Sequence, residues 1–150
     1  MISTSSQLFT QPGAVQTVRK LVLLANGLFL MLAGGLFLVF DLLSFYFGAG
    51  PLGTMLTGVL YTIGMVEAHG LALIIGLLLL RAGRVEPQPL WHLVGAGVHL
   101  LLGGANLLFW QLFIELDVVP MEILVTGIHG FLFAAQLVCF LRIRTGNRTA

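Results

Sequence analysis

Four long apolar runs, with every basic residue of the chain on one side of them, leave little freedom of fold. Arg19 and Lys20 precede the first run, Arg81 and Arg84 follow the second, and Arg142, Arg144 and Arg148 follow the fourth; these are all seven Lys and Arg of the sequence. Only 9% of the 150 residues are charged, 58% are apolar, and the mean hydropathy is +1.03. Soluble domains carry about 25% charged residues and have no cause to sort cations in this way. A chain inserted under the positive-inside rule does.

A hydrocarbon core of about 30 Å needs about 20 helical residues. The spans are placed at 20–43, 57–80, 91–113 and 121–142. The expected fold is all-α and integral to a membrane: an antiparallel bundle of four transmembrane helices over 19–144, with both termini cytoplasmic. Residues 1–18, rich in Ser, Thr and Gln, are expected as an interfacial or disordered tail, and 145–150 as a short cytoplasmic tail. No basic residue occurs in 1–18, and the run that follows exceeds a signal-peptide core of about 7–15 residues, so the start does not read as a cleavable signal. The bacterial cytoplasmic membrane is the expected location. The dispersed cations suit anionic lipid head groups and give no nucleic-acid footprint; other membrane subunits or further copies of the chain are the expected protein partners.

The connections carry membrane-interface chemistry. Residues 44–56 hold Phe45, Tyr46, Phe47, Gly48, Gly50, Pro51 and Gly53, a composition suited to a lip at the outer interface. Pro87 and Pro89 mark a tight inner turn, Trp91 the inner belt, and Tyr61 and Trp110 the outer one. Pro120 suits a helix start. The single cysteine, Cys139, allows no internal disulfide and reads as a small apolar filler.

The two halves of the chain resemble each other. His69-Gly70 precedes Arg81 and Arg84 as His129-Gly130 precedes Arg142 and Arg144, with the same spacing from His to the second Arg. Leu32-Ala33-Gly34-Gly35 likewise has a counterpart in Leu101-Leu102-Gly103-Gly104. This predicts two pseudo-repeated helical hairpins related by an axis along the membrane normal.

Residues seven apart lie on nearly one helix face. The third span thereby aligns His92, His99 and Asn106; the fourth aligns Glu122, His129 and Gln136, with Thr126 alongside; the second aligns Thr62, His69 and Gly76. The first contributes Asn26, Ala33 and Gly34, with Asp41 at its outer end. Small and polar faces should turn toward one another and away from lipid. At about 1.5 Å per residue, His69, His99 and His129 reach similar depths near the bilayer middle. Glu67 is offset from His69 by about 200°, so it is expected to face a neighbouring helix or another subunit. His92, near the inner interface, reads as a snorkelling or turn-bonding residue.

These residues suggest a polar mid-membrane pocket with His69, His129, His99, Glu67 and Asn106 as the candidate cofactor-binding set. Two facing imidazoles can hold haem b, and His69 with His129 is the pair matched in depth and repeat position. A quinone needs one histidine or Glu67 as hydrogen-bond partner and proton acceptor. Three imidazoles, His69, His99 and His129, would suit a transition metal. Two rivals need no cofactor: a structural or assembly subunit held by interhelical hydrogen bonds, and a small cation or proton transporter fed from the acidic outer face. No G-x-S-x-G, zinc-protease or phosphate-loop motif occurs.

The first hairpin also resembles the DoxX-like membrane proteins, small four-helix proteins. The stretches that match are Arg19…Gly27-Leu28-Phe29-Leu30…Gly34 and Glu67-Ala68-His69-Gly70…Gly76-Leu77…Arg81. His99 and His129 lie outside that pattern. The resemblance implies a membrane accessory protein, linked in some members to quinol or thiol redox chemistry.

Overall fold

The computed structural model describes residues 12–146, and the side chains of 13–142. The described residues form helices and turns without a strand. In chain order they are α1 (Pro12–Phe47), a 3-10 turn (Gly53–Leu56), α2 (Thr62–Val85), α3 (Pro89–Leu108), α4 (Trp110–Glu115) and α5 (Val119–Gly146). Segments of α1, α2, α3 and α5 (Gly13–Phe47, Thr62–Val85, Pro89–Leu108 and Val119–Arg142) are long and apolar enough to cross a membrane. Length and composition thus make this an integral membrane protein.

The helix ends depart from the sequence expectation for local reasons. Of the expected tail over 1–18, residues 1–11 lie outside the described residues and the remainder is helical. There Thr17 Oγ1 donates to the Gly13 carbonyl at 2.9 Å and Arg19 Nη1 to Gln16 Oε1 at 3.0 Å, one helical turn away in each case. Of the expected tail over 145–150, residues 147–150 likewise lie outside the described residues. α2 starts at Thr62 rather than 57, because Gly58 takes φ +66°, a left-handed conformation that a right-handed helix excludes. It runs on to Val85 and stops where Pro87 restricts the residue before it. α3 ends at Leu108, five residues early, with Phe109 off the helical region at φ −105°, ψ 24°. Pro120 occupies the second position of α5, where its missing N–H is harmless.

By its contacts the chain divides into two compact units, Leu24–Arg81 and a second that takes in Met1–Leu23 and Ala82–Ala150. In the first, backbone meets backbone at glycines. A Cβ added at Gly27 would lie 2.6 Å from the Leu80 nitrogen, at Gly34 2.6 Å from the Leu73 nitrogen, and at Gly76 2.5 Å from the Met31 nitrogen. Numbers fall along α2 as they rise along α1. Such approach replaces the hydrophobic drive that lipid cannot supply. Its connection, residues 48–61, is tied back on itself: Ser44 Oγ donates to the Ala49 carbonyl at 2.8 Å and Thr57 Oγ1 to the Ser44 carbonyl at 3.2 Å.

In the second unit α3 packs along α5. Gly103 lies so close to α5 that its Cβ would stand 3.1 Å from His129 Cβ. Ala96, Leu132 and Cys139 are buried beside the polar residues described below.

Gly76→Ala should cost about 1–3 kcal/mol through overpacking, whereas Gly70→Ala, with nothing within 4 Å of its added Cβ, should be neutral or slightly stabilising. Thermal unfolding in detergent checks this; equal effects at the two positions would refute the close α1–α2 contact.

Candidate functional site: buried histidine pairs

The seam between α3 and α5 carries three polar rungs, each displaced by seven residues on both helices. Asn106 Nδ2 donates to Glu122 Oε2 at 3.2 Å and to Thr126 Oγ1 at 3.1 Å. His99 Nδ1 and His129 Nδ1 lie 2.8 Å apart, with ring centroids 5.1 Å apart and planes inclined by 40°. His92 Nδ1 lies 2.6 Å from Gln136 Oε1. Seven residues rise about 10.5 Å, so the rungs follow one another along about 21 Å of helix. The seven-residue recurrence explains the alignment, since it returns each polar side chain to nearly the same face.

The chemistry of each rung follows from its atoms. Two imidazole nitrogens in contact need a hydrogen on one and a lone pair on the other, so one proton lies between His99 and His129. An amide oxygen accepts only, so His92 Nδ1 carries the hydrogen and, in the neutral ring, its Nε2 offers a lone pair. His92 and Gln136 are both fully buried. His92 Nε2 and Gln136 Nε2 nevertheless have no hydrogen-bond partner, and neither does Arg19 Nε. Each such group costs about 1–3 kcal/mol. Arg19 Nη2 donates to the Pro87 carbonyl, and its charge lies close enough to act on His92 and Cys139.

In the other unit His69 Nδ1 lies 2.6 Å from Asp41 Oδ2. Asp41 is only 1% exposed, His69 28%. Phe37 stacks on the imidazole at 5.3 Å between centroids and 24° between planes. α1 positions both partners, since Phe37 and Asp41 are one helical turn apart. This carboxylate–imidazole pair stands where the sequence reading placed only the outer end of the first span; α1 continues to Phe47, which leaves Asp41 inside the helix.

The candidate residues fall in both units. His99, His129 and Asn106 meet along the α3–α5 seam, and His69 lies in the other unit with Asp41. Glu67 is exposed on α2, on the apolar face of Ile63, Leu71 and Ile74. Among the described residues no group of three His, Cys, Asp or Glu could hold a metal ion. His92 is not the interfacial snorkelling residue the sequence suggested but a buried partner of Gln136. Its seven-residue interval from His99, matched by that of Gln136 from His129, was the signal for this; pairing them needed the helix register. Free Cys139 is buried, as a filler should be.

No family model, curated protein or solved structure matches the chain.

Gln136→Leu should destabilise the protein by about 1–3 kcal/mol by stranding the His92 Nδ1–H in an apolar site. The double variant His92→Leu/Gln136→Leu should recover much of that loss. Unfolding in mixed micelles measures both, and strictly additive losses would show that the two side chains do not act as a pair.

Proposed function

We propose that this is a small redox-associated accessory protein of a bacterial cytoplasmic membrane, which binds a quinone at His69. The observation that carries this reading is the buried Asp41 carboxylate on His69 Nδ1. A carboxylate within the hydrocarbon is costly and a functional candidate by default. Here it fixes the tautomer and the orientation of the ring, as partners of working histidines do. With Nδ1–H held by Asp41, the neutral ring has a lone pair at Nε2 that accepts the hydroxyl hydrogen of a quinol. With a second proton on the ring, Nε2–H donates to a quinone carbonyl. Phe37 holds the ring plane in either state. The resemblance of the first hairpin to DoxX-like proteins points the same way.

The topology that accompanies this reading is an antiparallel four-helix bundle of two duplicated hairpins, with both termini cytoplasmic. Duplication is supported by the matched glycines: Gly34 lies against the His69 backbone and Gly103 against His129. Orientation rests on the sorted cations.

Haem b is the other redox ligand that a carboxylate-backed imidazole suits. Within the α3–α5 seam it does not fit between His99 and His129, because rings bonded directly at 2.8 Å leave no gap for a macrocycle. A quinone asks for one imidazole only. Extraction of the purified protein and chromatography of its bound lipids should yield a quinone. Asp41→Asn, which keeps an accepting oxygen but removes the charge of the supporting partner, should retain about tenfold less, and His69→Ala should retain none. A preparation without quinone overturns the reading; a Soret band lost in His69→Ala or His129→Ala replaces it with haem.

A second reading, a non-catalytic assembly subunit, is favoured by Glu67. A carboxylate on an exposed membrane-helix face costs about 2.5–3.5 kcal/mol on insertion scales, a cost that a covering subunit would reduce. Glu67→Gln should change the oligomeric state seen by cross-linking in membranes while insertion is unaffected. Higher stability and unchanged assembly in Glu67→Leu would remove this reading.

A further inference from the structure

We infer that the α3–α5 seam conducts protons across the membrane, with the His99–His129 pair as its direct transfer step. The seam is a line of proton-carrying groups running from Glu122, through the two imidazoles, to His92. A lock between helices needs none of these. Asn, Gln and Ser would supply the same interhelical bonds, worth about 0.6 kcal/mol on average, without titratable groups. A second observation separates a path from a lock. At the His92 end two fully buried side chains leave polar atoms unused, His92 Nε2 and Gln136 Nε2, and Arg19 Nε is unused beside them. One acceptor and two kinds of donor at this end of the seam are groups that water satisfies, accepting from Arg19 and Gln136 and donating to His92.

The central step balances as follows. In the neutral pair His99 Nδ1–H donates to the lone pair of His129 Nδ1. A proton arriving at His99 Nε2 makes that ring an imidazolium. The bond from Nδ1 to its hydrogen breaks on His99 as a new one forms on His129, across 2.8 Å. His99 is left neutral with its hydrogen on Nε2, and His129, now the cation, releases the hydrogen from its own Nε2. One proton enters, one leaves, and no electrons move. A half-turn of both rings then presents an N–H of His99 to a lone pair of His129 again, so that the next proton can pass in the same sense. Between rungs, about 10.5 Å apart, water carries the proton. The charged and titratable groups along the route are Glu122, held by Asn106, at one end, and at the other Arg19, close to His92, with Cys139 close to Arg19 and Arg142.

This inference stands apart from the quinone reading, which concerns the other unit, and the experiment keeps them apart. The full chain is reconstituted into vesicles of synthetic, quinone-free lipid containing a pH-sensitive dye, and a potassium diffusion potential is imposed with valinomycin. Wild-type vesicles should acidify faster than protein-free ones. His99→Gln and His129→Gln keep a hydrogen-bonding side chain but cannot carry the proton, and should fall to the protein-free rate; Gly70→Ala should conduct like wild type. Should either histidine variant fail to insert, His92→Gln, at the end rung, is read in the same way. Wild-type flux equal to that of protein-free vesicles, or glutamine variants that conduct like wild type, overturns the inference.

Discussion

Hydrocarbon offers a polar side chain no partner, so each one placed in a membrane helix must find its hydrogen bond on an adjacent helix. This constraint sets the register of α3 against α5. His92 meets Gln136, His99 meets His129, and Asn106 meets Glu122 and Thr126, the rungs stepping by seven residues in opposite directions on the two helices. A slip by a turn would break every rung together. Individual bonds of this kind are weak, and three in register act as a specification of alignment more than as a source of stability. The glycines serve the same end: Gly103 lets α5 come close enough for the imidazoles to touch.

The two units solve the polar problem differently. Between α1 and α2 the contact is mostly backbone on backbone, at Gly27, Gly34 and Gly76, and Asp41 bonds His69 across it. Between α3 and α5 the polar groups are spread over the length of the seam. The first arrangement sets a buried carboxylate against one imidazole and fixes which ring nitrogen carries the hydrogen. The second distributes proton-carrying groups along the direction that crosses the membrane. One chain thereby holds a point-like site and a line.

The orphaned atoms around His92 bear on the same distinction. Buried donors and acceptors are nearly always satisfied, and exceptions mark places where something beyond packing is being served. Here His92 Nε2 and Gln136 Nε2 share one end of the α3–α5 seam with Arg19, whose guanidinium is held by the Pro87 carbonyl.

The number of helices long and apolar enough to cross a membrane and the polar face of each were legible in the sequence, because hydropathy and seven-residue recurrence are properties of a single helix. The same is true of the histidines as candidates. Which side chains bond was not legible. His69 was matched to His129 by depth and repeat position, yet its bonded partner is Asp41, since the length of α1 past residue 43 depends on the turn that follows it rather than on hydropathy. The nearness of His92 to the inner turn suggests an interfacial residue; packing against α5 buries it instead. Sequence alone determined which faces must avoid lipid. Only the tertiary structure decided the pairs, because a hydrogen bond depends on the relative translation and rotation of two helices, and neither is encoded in the periodicity of one.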